Sequence, residues 1–141
     1  MYGGANPGLG LAILRIVVGV VFIAHGGPKL FGGVPETAAF LGTIGVPLPH
    51  VTAWIIASLE TFGGFLLVIG YLVTPVAVLL TAQMVTGIFL VHLPNGFYVV
   101  GPGTGGVELN LVLVAGLLAL ILVGPGHWTL QGRLQDDVTV V

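Results

Sequence analysis

The sequence predicts an all-α integral membrane protein, folded as an antiparallel bundle of four transmembrane helices. Only 6% of its 141 residues are Asp, Glu, Lys or Arg, whereas a soluble domain carries about 25%. Hydrophobic residues make up 56% of the chain, and its mean hydropathy is +1.15. Four apolar stretches approach the roughly 20 residues that a membrane-spanning helix needs. Short connections between them favour antiparallel neighbours.

Composition also excludes several classes of protein. Three Lys and Arg residues in the whole chain leave no basic face for a nucleic acid. The absence of cysteine excludes disulfides, thiolate metal sites, CxxC redox chemistry and an acyl anchor on cysteine. We therefore expect residues 1–141 to form one membrane domain, with the lipid bilayer as its first partner and no nucleic-acid partner.

Each predicted span follows from apolar length. The spans cover residues 8–31, 50–72, 74–93 and 107–123. The first span has no basic residues before it and no small-residue cleavage pattern after it, so it is interpreted as a retained helix and not as a signal peptide. Gly26-Gly27-Pro28 is expected to kink or end this helix, because proline has no N–H group and clashes with the preceding turn.

The connections differ in length. Residues 32–49 are expected to hold a short interfacial helix ended by prolines, and residues 71–75 a tight turn that places Pro75 at the start of the third helix. Residues 94–106 are rich in glycine and carry aromatic rings that suit the headgroup level. Gly124-Pro125-Gly126 ends the fourth helix, and residues 127–141 form a polar C-terminal tail.

Four spans place both termini on one side of the membrane. Arg15 and Arg133 mark that side and Lys29 marks the other. The excess of cations favours the cytoplasm for the side of the termini. The expected location is the cytoplasmic (inner) membrane of a prokaryote.

Burying an ionisable group within or beside a membrane span costs a few kcal/mol, so such a group needs an ion-pair or hydrogen-bond partner. The set contains two cations and two anions: Arg15, Lys29, Glu60 and Glu108. Helix direction places Arg15 near Glu60 in depth and Lys29 near Glu108, which predicts two ion pairs. Glu108 lies in a first helical turn, where the helix dipole favours an anion. Gln83 lies near the middle of the third span.

Two interpretations of this set stay open. The ion pairs can serve only to fix helix order, and Lys29 can reach the interface without a partner. Alternatively, His25 and Glu60 can pass protons or line a pocket for a polar ring such as that of a quinone.

The four histidines do not predict a metal or haem site. His25, His50 and His92 lie at one membrane depth by the predicted topology, but their spacing is not diagnostic of metal or haem ligation. Interfacial hydrogen bonding is the favoured interpretation. His127 beside Trp128 is typical of an anchor at the interface.

Short motifs occur in a fixed order along most of the chain. They are Leu14-Arg15, His25-Gly26, Lys29-Leu30-Phe31, Glu60 with Gly63-Gly64 and Gly70, His92, Gly96-Phe97, Gly106, Glu108-Leu109, Gly124-Pro125-Gly126 and Trp128-Thr129-Leu130. Together they resemble the DoxX family of small four-helix membrane proteins, over about residues 9–131. The chain departs from that family at Pro28, which interrupts a motif, and at Gln131, where the family tends to have aspartate.

The resemblance implies work beside electron-transfer chemistry, because some DoxX proteins are membrane subunits of a thiosulfate:quinone oxidoreductase. It leaves open whether this chain is itself an enzyme. No intrinsic cofactor is expected, and a quinone near His25 and Glu60 is the candidate ligand. The candidate catalytic residues are Arg15, His25, Lys29, Glu60 and Glu108.

Three functions are compatible with these features of the sequence. The first is the quinone-facing membrane subunit of an oxidoreductase, with membrane or peripheral redox proteins as partners. The second is a non-catalytic assembly subunit of a larger respiratory or photosynthetic complex. The third, ranked last, is a small transporter or channel, which would need a homo-oligomer because four helices enclose little volume.

Overall fold

The computed structural model describes residues 6–101 and 105–139, and within these ranges the regular structure is helical, without a strand. The all-α prediction is therefore confirmed for this part of the chain. The α-helices are α1 (Pro7–Pro28), α2 (Val34–Thr43), α3 (Pro49–Ile69), α4 (Val73–Gly87), α5 (Glu108–Val123) and α6 (Leu130–Thr139).

Three continuous helical stretches of the described residues are long and apolar enough to cross a membrane. They are Pro7–Thr43, Pro49–Ile69 and Val73–Asn95. The first joins α1 to α2, and the third extends α4 through a π-helical turn and a short 3-10 turn. Helix α5 is apolar but has only 16 residues. At 1.5 Å per residue its length is about 24 Å.

Helix α1 begins and ends where its sequence directs. The Asn6 side chain accepts a hydrogen bond from the Leu9 amide, and Pro7 occupies the first turn, which is a favoured start. The α-helix ends at Pro28, as predicted, and continues as a π-helical turn, Lys29–Gly33. The backbone leaves helical geometry from Phe31 to Gly33, and Gly32 has a φ of 154°. Glycine adopts such a positive φ without a steric penalty.

The short helix predicted between the first two spans is α2. It packs on the first half of α3 through the buried residues Val34, Ala38, Leu41, Ala53 and Ala57. The prolines do not end this helix, because α2 already stops at Thr43 and Pro49 is the first residue of α3. Proline favours the first turn of a helix, where its missing N–H group leaves no bond unmade.

The turn between α3 and α4 is as tight as predicted. Gly70 has a φ of 72° and donates its amide hydrogen bond to the carbonyls of Leu66 and Leu67, which closes α3. Helix α4 starts at Val73, so Pro75 lies in its first turn.

Helices α1 and α3 pack in close antiparallel contact through glycine. A Cβ atom added to Gly19 would lie 2.6 Å from the carbonyl oxygen of Gly64, and one added to Gly26 would lie 2.6 Å from the Cβ atom of Glu60. The backbones touch because neither glycine carries a side chain, an arrangement that membrane helices use widely. These two contacts fix the axial register of α1 against α3.

The C-terminal segment folds back on the bundle and forms a helix that the sequence did not predict. The His127 amide donates to the carbonyl of Gly8, and the Gln131 amide donates to that of Gly70. The Gln131 side chain in turn accepts a hydrogen bond from the Leu72 amide. Helix α6 follows from Leu130, where the prediction had a polar tail.

Candidate functional site

A polar cluster lies inside the helical bundle, centred on Glu60 of α3. The Lys29 Nζ atom lies 2.6 Å from Glu60 Oε2, and Gln83 Nε2 donates a hydrogen bond of 2.6 Å to Glu60 Oε1. The Glu60 side chain is only 4% exposed. Both carboxylate oxygens therefore have a donor although the group is buried, which is what a buried charge requires. We name Lys29, Glu60 and Gln83 the carboxylate cluster.

Helix register brings the cluster together. Gly26 lies against Glu60, and Lys29 follows Gly26 by three residues at the beginning of the π-helical turn. Residues three apart on a helix lie on neighbouring positions of its surface, so Lys29 reaches the carboxylate. Gln83 reaches the second oxygen of the same carboxylate from α4. The cluster thus joins the three long helical stretches.

The cluster retains hydrogen-bonding capacity. The Lys29 side chain is 32% exposed, and an ammonium group carries three donors, of which one is directed at Glu60. Gln83 Oε1 is buried and has no hydrogen-bond partner in the structure. An unsatisfied buried acceptor costs about 1–3 kcal/mol. The cluster therefore combines spare donors on Lys29 with an unused acceptor on Gln83.

Arg15 does not pair with Glu60, so that prediction is wrong. Its fully buried guanidinium donates to the backbone carbonyls of Pro125 and Trp128, at 3.0 and 3.1 Å. Arg15 precedes Gly26, the neighbour of Glu60, by eleven residues, which is about 16 Å along an α-helix. The glycine contacts thus place Arg15 beside Gly70, at the end of α3, and place Lys29 beside Glu60.

The predicted pair of Lys29 with Glu108 is also wrong. Glu108 begins α5, as expected, but its Oε1 atom accepts a hydrogen bond of 2.9 Å from the Val99 amide. The connection before α5 folds over this helix end, and the amides of Gly106 and Glu108 donate to the carbonyls of Tyr98 and Phe97. Glu108 therefore holds a loop, because backbone donors reach it where Lys29 does not.

The histidines have separate surroundings. His25 is exposed, and its Nδ1 atom lies 2.8 Å from the Val21 carbonyl of its own helix. His92 is half-buried, with Nδ1 2.6 Å from the Gly105 carbonyl. His50 and His127 are exposed. Among the described residues, no three His, Asp or Glu side chains are grouped so that they could hold a metal ion.

Two buried amide groups were not among the site candidates that the sequence supplied, and one of them, on Gln83, belongs to the cluster. The predicted site residues do not include Gln83, although its position near the middle of the third span is polar. Asn110 of α5 is buried, and its Nδ2 atom lies 3.6 Å from the Met84 sulfur. Each is the sole Asn or Gln within its predicted span. Amides in an apolar helix need a partner, and this was the signal available in the sequence.

Known proteins share sequence similarity with most of this chain. The DoxX family profile matches residues 10–93. A Bacillus subtilis protein named "Putative oxidoreductase CatD" is 33% identical over 82% of this chain and 80% of its own length. Escherichia coli "Inner membrane protein YphA" is 31% identical over 94% of both chains. An uncharacterized membrane protein of Mycobacterium tuberculosis is 31% identical over 89% of this chain and 82% of its own. No solved structure matches the chain.

The family match and the relatives agree with the residues that first indicated the family. Leu14-Arg15, His25-Gly26, Lys29-Leu30-Phe31, and Glu60 with Gly63-Gly64 all lie inside the matched region. Two of the relatives carry "membrane protein" in their names, in agreement with the three long apolar helical stretches. The chain belongs to the DoxX family of membrane proteins.

Proposed function

We propose that this chain is the quinone-facing membrane component of an oxidoreductase, with the carboxylate cluster as the place where the quinone ring binds. The observation that supports this most directly is the buried Glu60 carboxylate, held by Lys29 and Gln83 inside the helical bundle. Buried ionisable groups in membrane segments mark functional sites more often than not. The name of the B. subtilis relative also includes an oxidoreductase activity.

The chemistry of the cluster suits a quinone. Reduction of a quinone to its hydroquinone takes two electrons and two protons. The spare N–H groups of Lys29 can donate to a quinone carbonyl, and Glu60 can take up and release a proton at its carboxylate. His25, in the last turn of α1, precedes Lys29 by four residues, a spacing that makes side chains neighbours on a helix surface, and it is the second proton carrier that we propose.

The electrons must come from a redox centre of another protein. The chain has no cysteine, and its sequence has no flavin-binding fingerprint. We therefore infer a membrane or peripheral partner that carries a reduced flavin or metal centre and delivers electrons to the bound quinone. No intrinsic cofactor is assigned to this chain.

Quinone binding by the purified protein tests the proposal. We expect Glu60→Gln and Lys29→Met to weaken binding of a short-chain benzoquinone at least tenfold, measured by equilibrium dialysis with the protein in lipid nanodiscs. Glu36→Gln is the matched control, since Glu36 is exposed on α2, and it should leave the Kd unchanged. Circular dichroism would verify that all variants stay folded. Unaltered binding by both cluster variants would reject the cluster as the quinone site.

A second candidate function is an assembly subunit of a larger membrane complex. The observation in its favour is that the cluster ties α1, α3 and α4 together through internal contacts, which a purely structural network would also do. Purification from native membranes in mild detergent separates the two functions. If Glu60→Gln leaves the turnover of the assembled complex unaltered, the assembly function is supported over quinone binding.

We also propose that α5 completes a fourth span and that both termini face the cytoplasm of a prokaryotic cell. Leu113, Leu117 and Leu120 of α5 are buried against the bundle, and Gly116 lies against Val18 of α1. These contacts hold α5 alongside the longer helices.

Cysteine labelling tests this topology, because the chain has no native cysteine. We expect Glu36→Cys and Asp136→Cys, two exposed positions, to react with impermeant maleimide from opposite sides of inner-membrane vesicles. The Asp136→Cys variant should be labelled from the cytoplasmic side. Labelling of both from one side would show that α5 does not cross the membrane.

A further inference from the structure

One polar atom of the carboxylate cluster has no hydrogen-bond partner. Gln83 Oε1 is buried and unpartnered. Its orientation follows from chemistry, because Nε2 must face the oxygen of the Glu60 carboxylate, which only accepts while it is ionised and paired with Lys29. An amide carries two donors and an acceptor oxygen, so the oxygen is the group left over. Whatever satisfies it must bring a hydrogen-bond donor.

The neighbouring cation has the opposite requirement. Lys29 directs one of its three N–H donors at Glu60 Oε2, and its side chain is one-third exposed, so its remaining donors are available to an acceptor. A ligand that satisfies the cluster fully must accept from Lys29 and donate to Gln83. A hydroxyl group does both, whereas a ketone oxygen only accepts.

We propose that the carboxylate cluster discriminates between the two redox forms of the quinone and binds the hydroquinone more tightly. This inference rests on the proposed function, and it adds that Gln83 is the residue that sets the preference. The phenolic O–H donates to Gln83 Oε1, while the same oxygen accepts from Lys29. The oxidised ring can use only Lys29 and leaves the Gln83 oxygen unsatisfied.

The expected difference in affinity between the two redox forms can be given a direction and a magnitude. One redox form satisfies the buried acceptor and the other leaves it unpaired. The difference in binding free energy is about that of one hydrogen bond, which corresponds to a roughly tenfold difference in affinity. Because the reduced form is the one held more tightly, the midpoint potential of the bound couple is raised above that of the free couple. For a two-electron couple a tenfold preference corresponds to about 30 mV.

Affinities of the two redox forms test the inference. The probes are a short-chain benzoquinone and its chemically reduced hydroquinone, measured anaerobically with the full chain in lipid nanodiscs. We expect the hydroquinone to bind about tenfold more tightly than the quinone. Gln83→Met keeps the side-chain length and removes the acceptor oxygen together with the donor to Glu60, and it should bring the two affinities to within about twofold. Gln135→Met on α6 is the control and should keep the tenfold ratio.

The outcomes separate this inference from the function on which it rests. Equal affinities in the unaltered protein overturn the preference and leave the quinone site in place. A preference that survives in Gln83→Met overturns the role of Gln83. If neither redox form binds at millimolar concentration, the proposed function itself fails. The measurement on the unaltered chain stands even if Gln83→Met does not fold.

Discussion

Gly64→Ala is expected to destabilise the protein by about 2–3 kcal/mol, because a single methyl group would press on backbone and not on a flexible side chain. A Cβ atom at Gly64 would lie 2.6 Å from the carbonyl oxygen of Gly19 and 2.9 Å from the amide nitrogen of Ile23. Helices α1 and α3 must then move apart, and overpacking of this kind costs about 1–3 kcal/mol. The thermal unfolding temperature in detergent, followed by circular dichroism, measures the loss.

Two other glycines provide graded controls. A Cβ atom at Gly63 would lie 3.3 Å from the Val76 Cγ1 atom, a side-chain contact that can adjust, and one at Gly10 would meet nothing within 4 Å. Gly63→Ala should therefore lose much less stability than Gly64→Ala. Gly10→Ala should gain up to about 1 kcal/mol from helix propensity. If the three variants unfold at one temperature, the tight crossing of α1 and α3 is not present in the protein.

This crossing also explains which parts of the site the sequence could predict. Apolar length was enough to locate the long helices, and the scarcity of charge was enough to select Arg15, Lys29, Glu60 and Glu108. The ion pairs among them were predicted wrongly, because the membrane depth of each charge was inferred from its distance to the ends of its span. The contacts of Gly19 with Gly64 and of Gly26 with Glu60 set the register instead. A one-dimensional pattern does not contain that register.

Backbone groups that bind charged side chains are the second reason why the ion pairs were predicted wrongly. Arg15 binds the carbonyls of Pro125 and Trp128, and Glu108 binds the amide of Val99. Backbone carbonyl and amide groups occur all along the chain. The sequence therefore does not indicate which of them will bind a charged side chain. Counting charges assumes that charged side chains pair with one another. In this chain, among the described residues, that holds for Lys29 with Glu60.

The same register links stability to the proposed chemistry. Gly26 allows α1 to touch α3 beside Glu60, and the π-helical turn that begins at Lys29 follows at once. Such turns occur frequently at functional sites. A bulky residue at Gly26 would therefore separate Lys29 from Glu60 as well as loosen the helices. The glycine contacts position the carboxylate cluster in addition to packing the bundle.

Arg15→Met is expected to release the C-terminal segment from the bundle. The substitution removes hydrogen bonds to the carbonyls of Pro125 and Trp128, and bonds from a charged donor contribute about 1.5–3 kcal/mol each. Part of this is offset because the variant no longer buries a cation. We expect a net local loss of about 2 kcal/mol, which corresponds to a roughly thirtyfold larger open fraction.

Trypsin cleavage after Arg133 measures this opening, because Arg133 is exposed on α6, whereas Arg15 is buried and Lys29 largely so. Cleavage should accelerate in Arg15→Met and only partly in Arg15→Lys, since one ammonium matches two carbonyls less well than a guanidinium fork. Ile13→Met, an exposed position on α1, should not alter the rate.

The Arg15 variant also distinguishes the observed contacts from the pairing that the charges suggested. Arg15 and Glu60 share no partner, and sites that far apart contribute independently to stability. The loss in unfolding temperature for Arg15→Met with Glu60→Gln should therefore equal the sum of the two single losses. Lys29→Met with Glu60→Gln should lose less than its sum, because each single variant already breaks the same contact. A non-additive loss for Arg15→Met with Glu60→Gln, together with an additive loss for Lys29→Met with Glu60→Gln, would restore the Arg15–Glu60 pair and place Lys29 outside the cluster.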